Sequence, residues 1–326
     1  MPRIRRVPLV LIPLLLLPLA GCGTGDKDGT GAAPAADGFP YTVTNCGTRT
    51  TFDAPPERVV TMNQHVTEIM LALGLRDRLV GTAYLDDSVL PEYRSAYDRT
   101  KVLAKEYPSK EVLLGANPDF VYGGYDSAFD RARGQDRAGL HKNGIDTRLN
   151  IENCTEGGVG LDQLATEITQ VARTFGVPER GSELIARERR KIAAVEAGLK
   201  GSSPRSVFVY DSGDSSAFTA GGKGIGNEIV ELAGGRNVFA DLDATFGDVS
   251  WEQVIKRRPE VVVIYDYGGT TVAAKKKRLL DDPALADVPA IRNKKFAVLP
   301  LSSAVLGVRV ADAVRDLAGQ LHPGTP

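Results

Sequence analysis

The stretch "PERVVTMNQHVTEIMLALGLRDRLVGTAY", residues 56–84, decides how the chain folds. Its opening, "RVVTM" (58–62), is a short apolar run of strand length. "VTEIMLALGL" (66–75) then spaces its apolar residues as a helix does and closes on Gly74. "RLVGTAY" (78–84) returns to strand character. Strand, helix and strand in this order read as a parallel unit with a helix on one face of the sheet.

The pattern recurs along the chain. In the first half "DFVYGG" (119–124) and "IDTRLNI" (145–151) read as strands, with helices over "SKEVLLGA" (109–116) and "SAFDRARGQDRAGLHKNG" (127–144). In the second half the strands are "SVFVYD" (206–211), "VVVIYDY" (261–267) and "FAVLPL" (296–301). The helices there are "GNEIVELAGG" (226–235), "SWEQVIKRR" (250–258) and "VADAVRDLAGQL" (310–321). "YTVTNCGTRTTFD" (41–53) reads as a hairpin turning at Asn45-Cys46-Gly47. From Leu161 to Leu199 the apolar spacing is helical, with Pro178 and Gly181 fitting only as a kink or a break. The sequence therefore predicts an α/β protein of two three-layer lobes with mainly parallel sheets, 40–155 and 203–326. One long inter-lobe helix within 156–202 joins them.

The chain begins "MPRIRRV", and the apolar run from Val7 to Ala20 falls short of the roughly 20 residues of a spanning helix. Pro8, Pro13 and Pro18 interrupt it further. A basic start, an apolar run and small residues before a cut form a signal-peptide layout. The end of the run, Leu19-Ala20-Gly21-Cys22, resembles the lipobox of bacterial lipoproteins. That resemblance implies removal of residues 1–21 and a diacylglycerol on Cys22; the alternative is an ordinary secretory signal with an incidental cysteine. Residues 22–39 read as a flexible tether, because Gly23 to Gly38 contains no aromatic or large aliphatic residue. About 285 residues remain, enough for two lobes of ordinary size.

Loss of three signal-segment arginines leaves 37 basic against 41 acidic residues, a balance of −4. Such a chain lacks the basic face that a nucleic-acid partner requires. With Cys22 lipidated, Cys46 and Cys154 remain in an oxidising compartment and are expected to pair, two separate buried thiols being the alternative. The three histidines, His65, His141 and His322, are far apart, and no cysteine pair has zinc spacing, so no protein-held metal or cofactor is expected.

This layout resembles the helical-backbone solute-binding proteins of ABC importers for ferric siderophores, haem and cobalamin. The resemblance spans the mature chain, through residues 56–84, "SKEVLLGANPDFVYGG" (109–124) and "GGRNVFADL" (234–242) with "FGDVSWEQVIKRRPEVVVIYDYG" (246–268). Glu111 stands seven residues before Pro118, as Glu252 stands seven before Pro259, and each proline leads into a strand. In that family one exposed glutamate per lobe meets arginines on the two permease subunits, which by resemblance assigns docking to Glu111 and Glu252. The alternative is a pair of solvated acids favoured at helix starts. The implied protein is a monomer outside the cytoplasmic membrane, held there by its lipid and serving an ABC permease dimer with its ATPase. A long helix between lobes implies a small lobe rotation rather than wide closure.

Ligands of open α/β sheets sit beyond the carboxyl ends of the strands. The residues there are Asn63, Gln64 and His65; Tyr84; Tyr125; Ser212 and Phe218; Tyr265 and Tyr267; and Ser302 with Arg309. Tyrosines and an arginine suit an anionic iron chelate, so a ferric siderophore is the first expectation. Cobalamin or another corrinoid and haem are alternatives. So is a phosphorylated deazaflavin precursor, since the opening "TVTNCG" resembles sequences assigned to it. Gly-rich "TAGGKGIGNE" (219–228) matches neither phosphate-loop pattern and reads as a loop into a helix, which the family resemblance places beside the cleft. "DSGDSS" (211–216) supplies hydroxyls and carboxylates for an extracellular hydrolase, yet no G-x-S-x-G elbow accompanies it. A sensor lipoprotein built on the binding fold is the remaining alternative.

Overall fold

The computed structural model describes residues 37–324. The expected signal segment, Cys22 and almost all of the tether lie outside the described residues. Phe39, placed at the tether's end by the sequence, is buried in the core.

A hairpin of Tyr41–Asn45 (β1) and Thr48–Phe52 (β2) turns at Cys46 and Gly47. The first lobe then takes Val59–Met62 (β3), Gln64–Ala72 (α1), Leu79–Ala83 (β4), Pro91–Tyr97 (α2), Val102–Ala104 (β5), Lys110–Gly115 (α3), Phe120–Gly123 (β6), Arg137–His141 (α4) and Asp146–Leu149 (β7). Its strands lie in the order β5-β4-β3-β6-β7, all parallel. The central strands β3 and β6 are buried along their whole length, which is why they read as continuous apolar runs rather than alternating ones.

Leu161–Thr174 (α5) and Pro178–Gly198 (α6) follow. The single long helix expected here is therefore broken. Phe175 to Val177 form the turn, with Gly176 at φ 67°, and Pro178 opens α6, where its missing N–H costs nothing. The two helices fold back on each other along Leu161, Leu164, Ile168, Ile185 and Ile192. α5 anchors to the first lobe through Glu167, which accepts bonds from Tyr122 and Arg148.

The second lobe runs through Arg205–Tyr210 (β8), Ala217–Ala220 (β9), Ile225–Leu232 (α7), Gly235–Asn237 (β10), Phe246–Val249 (β11), Trp251–Arg257 (α8), Val261–Asp266 (β12), Val272–Asp281 (α9), Pro289–Arg292 (α10), Phe296–Pro300 (β13) and Val310–Leu321 (α11). β10-β8-β12-β13 form its parallel sheet, and β9 pairs with β11 as a separate antiparallel ribbon. α6 lies against α11, so the helical hairpin reaches both lobes.

One local device starts the central crossing of each lobe. Ser109 and Ser250 cap α3 and α8, accepting from the backbone of Val112 and Gln253. Asn117 and Arg258 then adopt left-handed conformations, φ 49° and 48°, before Pro118 and Pro259. Next, Asp119 accepts from the backbone N–H groups of Glu57 and Arg58, and Glu260 accepts from that of Ser206. Each acid thereby ties the entry of β6 or β12 to the entry of its neighbour, β3 or β8.

The helix expected over 127–144 is mostly absent. A 3-10 turn at Asp126–Phe129 and the short α4 are separated by a loop in which the Asp130 carboxylate takes the Ala132 N–H. Asp136 then caps α4 by accepting from Gly139. These aspartates compete with the helix for backbone donors.

Cys46 and Cys154 are joined, with Cα atoms 5.3 Å apart, and the bond closes a span of 108 residues. It fastens the hairpin to the segment after β7. Asn45 reinforces it, donating to Leu149 O at 2.8 Å and accepting from Leu149 N at 2.9 Å. Replacing both cysteines by serine should lower unfolding stability by about 2–4 kcal/mol in denaturant titration. An unchanged midpoint would show that the hydrogen bonds alone hold this junction.

Candidate functional site

The carboxyl ends of both sheets face a cleft of about 630 Å³. Five aromatic residues line it: Tyr84 and Tyr125 from the first lobe, Phe218, Phe246 and Tyr267 from the second. A groove of 650 Å³ also runs beside β1 and α5, but its lining includes no aromatic residue besides Tyr41. The inter-lobe cleft is the better candidate for a large ligand, because it offers flat apolar surface from two directions.

Each wall is braced from behind. Tyr84, held at φ 57°, meets Tyr107 edge to face at 4.7 Å, and the Tyr107 hydroxyl donates to Asn63 Oδ1 at 3.1 Å. Asn63 Oδ1 also accepts from Gly124 N. Tyr125 packs against the His65 ring at 5.0 Å. Burial depresses the His65 imidazole to about 4, the Gly124 carbonyl partly opposing, so the ring stays neutral. Gly124 is required at this spot: a Cβ there would lie 2.4 Å from His65 Cε1.

On the opposite wall Phe218 and Phe246 stack at 5.8 Å, brought together by the β9–β11 ribbon. The Tyr267 hydroxyl donates to Asp211 Oδ1 at 2.5 Å, and Lys275 Nζ sits 4.6 Å from the centre of the same ring. Lys275 is itself buried and donates to Tyr265 O at 2.6 Å. Tyr267 is thus oriented at both its edge and its face.

Other strand-end residues from the sequence reading lie behind the cleft, in bonds with the protein. Arg309 makes four hydrogen bonds: two to Glu68, at 2.7 and 2.6 Å, one to Ser302 Oγ and one to Ser88 O. Burial alone would lower the guanidinium, but the Glu68 carboxylate, aided by Asp87, holds it above its ordinary value. Ser302 Oγ donates to Asp87 Oδ2 at 2.5 Å, and Gln64 exchanges bonds with Asp87. Tyr265 is 1 % exposed, beneath Phe246. Ser212 is half-buried, and its carbonyl accepts from Phe218 N. Of the eleven residues expected at the cleft, Tyr84, Tyr125, Phe218 and Tyr267 line its surface, Asn63, Gln64, His65, Tyr265, Ser302 and Arg309 form its backing, and Ser212 lies outside its lining.

These bonds also join the lobes, since Glu68 lies in α1 and Arg309 caps α11. Glu152 adds a second crossing: its carboxylate accepts from Ile225 N at 3.0 Å and from Leu306 N at 2.7 Å. The Gly-rich loop expected beside the cleft thus gives the first α7 N–H to Glu152. Gly307 lets the second lobe come against His65, where a Cβ would lie 3.0 Å from His65 Cβ.

Phe246 and Glu106 line the cleft without having been expected there, and Asp86, two residues beyond Tyr84 at the same strand end, lines it too. Burial raises Asp86 to about 6, the nearby Asp87 adding and Arg309 opposing. Glu111 and Glu252 are exposed at the starts of α3 and α8, and hydrogen bonding in these helix turns lowers both carboxyls. Among the described residues no group of three or more His, Cys, Asp or Glu side chains is placed to hold a metal ion. No helix among them is long and apolar enough to cross a membrane.

Residues 59–302 match the model of the family described as "Periplasmic binding protein". The chain is 31 % identical to a periplasmic binding protein from Veillonella parvula, with a TM-score of 0.80 over 86 % of this chain and 97 % of the other. It is 28 % identical to an ABC-type Fe3+-hydroxamate transport system protein from Saccharomonospora viridis, TM-score 0.74, covering 87 % and 99 %. A vitamin B12-binding protein of Yersinia pestis is 28 % identical over 210 residues, 64 % of this chain and 69 % of that protein.

Removing one partner of a buried ion pair strands the other charge, at a cost of about 3–5 kcal/mol. Glu68→Met and Arg309→Met should each destabilise by that order, and the double variant should recover much of the loss in calorimetry. Additive losses would contradict the pairing.

Proposed function

The chain belongs to the periplasmic binding protein family, and from that premise we propose that it captures a ferric siderophore and delivers it to an ABC permease. The carrying observation is the cleft with five aromatics drawn from both lobes. Flat rings on facing walls suit a bulky chelate, which offers ring edges and methylene arms over much of its surface. With no protein ligand cluster among the described residues, an iron cargo would bring its own donor atoms. The iron-hydroxamate system protein among the similar structures supports the same cargo. The vitamin B12-binding relative keeps a corrinoid as the second reading.

In this reading the protein performs no covalent chemistry. Tethered through Cys22 on the outer face of the cytoplasmic membrane, it loads ligand between the lobes. It then docks as a monomer on a permease dimer through Glu111 and Glu252. The repeated device around Ser109 and Ser250 supports that docking role: each glutamate is the second residue of a capped helix, exposed and ionised, at matching places in the two lobes. Charges so placed set register and speed encounter more than they add affinity.

Titration of the intact protein with a ferric trihydroxamate, followed by calorimetry, tests capture. Tyr84→Ala and Tyr267→Ala should each weaken binding by roughly tenfold, as expected for loss of an aromatic anchor. No heat from the ferric chelate, together with binding of a corrinoid, would move the cargo to the second reading. Reversing both glutamates to arginine should abolish cellular uptake while leaving binding in solution unchanged; surviving uptake would remove the docking role.

A further inference from the structure

The charge of the cleft is legible in its surroundings. Its lining holds three carboxylates, Asp86, Glu106 and Asp211, against one ammonium, Lys105. Asp211 is answered locally, because it accepts from Tyr267 and feels Lys275 behind that ring. Asp86 has no such answer. The nearby cation, Arg309, is taken up by Glu68, and Asp87 already shares its field, 3.7 Å from Nη1. Two carboxylates thus face one guanidinium before Asp86 is counted.

Asp86 Oδ2 is moreover shielded from solvent and has no hydrogen-bond partner in the protein. A shielded carboxylate oxygen without a donor is costly. A donor on a ligand seated between Tyr84 and Tyr125 would relieve that cost, whereas a second anion would raise it.

We infer that the cleft selects ligands of neutral or positive net charge and that Asp86 meets their donor or cationic group. This rests on the reading of the cleft as the cargo site. It revises the anionic chelate suggested by Arg309 at the sequence level, since that guanidinium is already engaged. Within the ferric siderophores it selects hydroxamate complexes bearing an amine over catecholate complexes, and among corrinoids the amidated ring over its carboxylates.

The test compares three ferric probes on the intact protein by calorimetry: a linear trihydroxamate with a free ammonium, the same chelate with that amine acetylated, and a tricatecholate. The ammonium form should bind at least about tenfold tighter than the tricatecholate. Asp86→Asn should reduce the advantage of the ammonium form over its acetylated twin severalfold. Tighter binding of the tricatecholate, or an unchanged ratio between the twin probes in Asp86→Asn, overturns the inference. If every ferric probe is silent, the siderophore reading fails by itself. The charge preference is then read from a cationic corrinoid amide against its anionic carboxylate form, and preference for the anion overturns it.

Discussion

A buried carboxylate–guanidinium pair, Glu68 with Arg309, holds the two lobes in one relation. Glu68 is the one charged residue of the buried helix α1, and its two oxygens accept from Arg309 and from Leu90 N. Taking both charges from water is costly, and in such pairs the Coulomb gain often does no more than offset it. The useful consequence is geometric. A planar, two-point contact tolerates little displacement, so any movement of α11 relative to α1 must break a charge-assisted bond. Glu152 makes a second such crossing near the Cys46–Cys154 bond. The two lie on different segments of the first lobe and resist rotation together.

The character of the cleft follows. Its walls are built before ligand arrives, with Tyr84 and Tyr125 braced by Tyr107 and His65, and Tyr267 fixed between Asp211 and Lys275. Side chains already ordered lose less entropy on binding. The same arrangement removes Arg309 from the ligand's reach and leaves the acids in excess. Lobe fixation and ligand preference are therefore consequences of one pair of residues.

Much of the fold was legible in the sequence because parallel sheets buried on both faces write themselves as apolar runs. "VVTM" and "VVVIYD" are such strands, and "VADAVRDLAGQL" is α11 residue for residue. The β9–β11 ribbon was not, since "AFTA" and "FGDV" are four-residue segments that pair across the intervening α7 and β10. Phe246 was missed with it. The break after Thr174 was visible only as one of two alternatives for Pro178 and Gly181, a kink or a break. At the cleft, strand ends located the right loops but could not sort lining from backing. Arg309 and Tyr265 follow strands as Tyr84 and Tyr267 do; only the position of Glu68 across the interface turns the arginine inward. The lone carboxylate of α1, one residue before the apolar run Ile69-Met70-Leu71, was the signal that a buried partner exists, without telling which.

The central claim, that the lobes form a preset receptor, is tested by the distance between them in solution. Spin labels at Lys101→Cys and Lys256→Cys, both exposed, would report it in a chain carrying Cys22→Ser. Pulsed dipolar spectroscopy should give one narrow distribution whose centre moves by no more than about 2 Å when a bound ferric chelate saturates the cleft. Two populations in the free protein, or a shift well beyond that on binding, would contradict it.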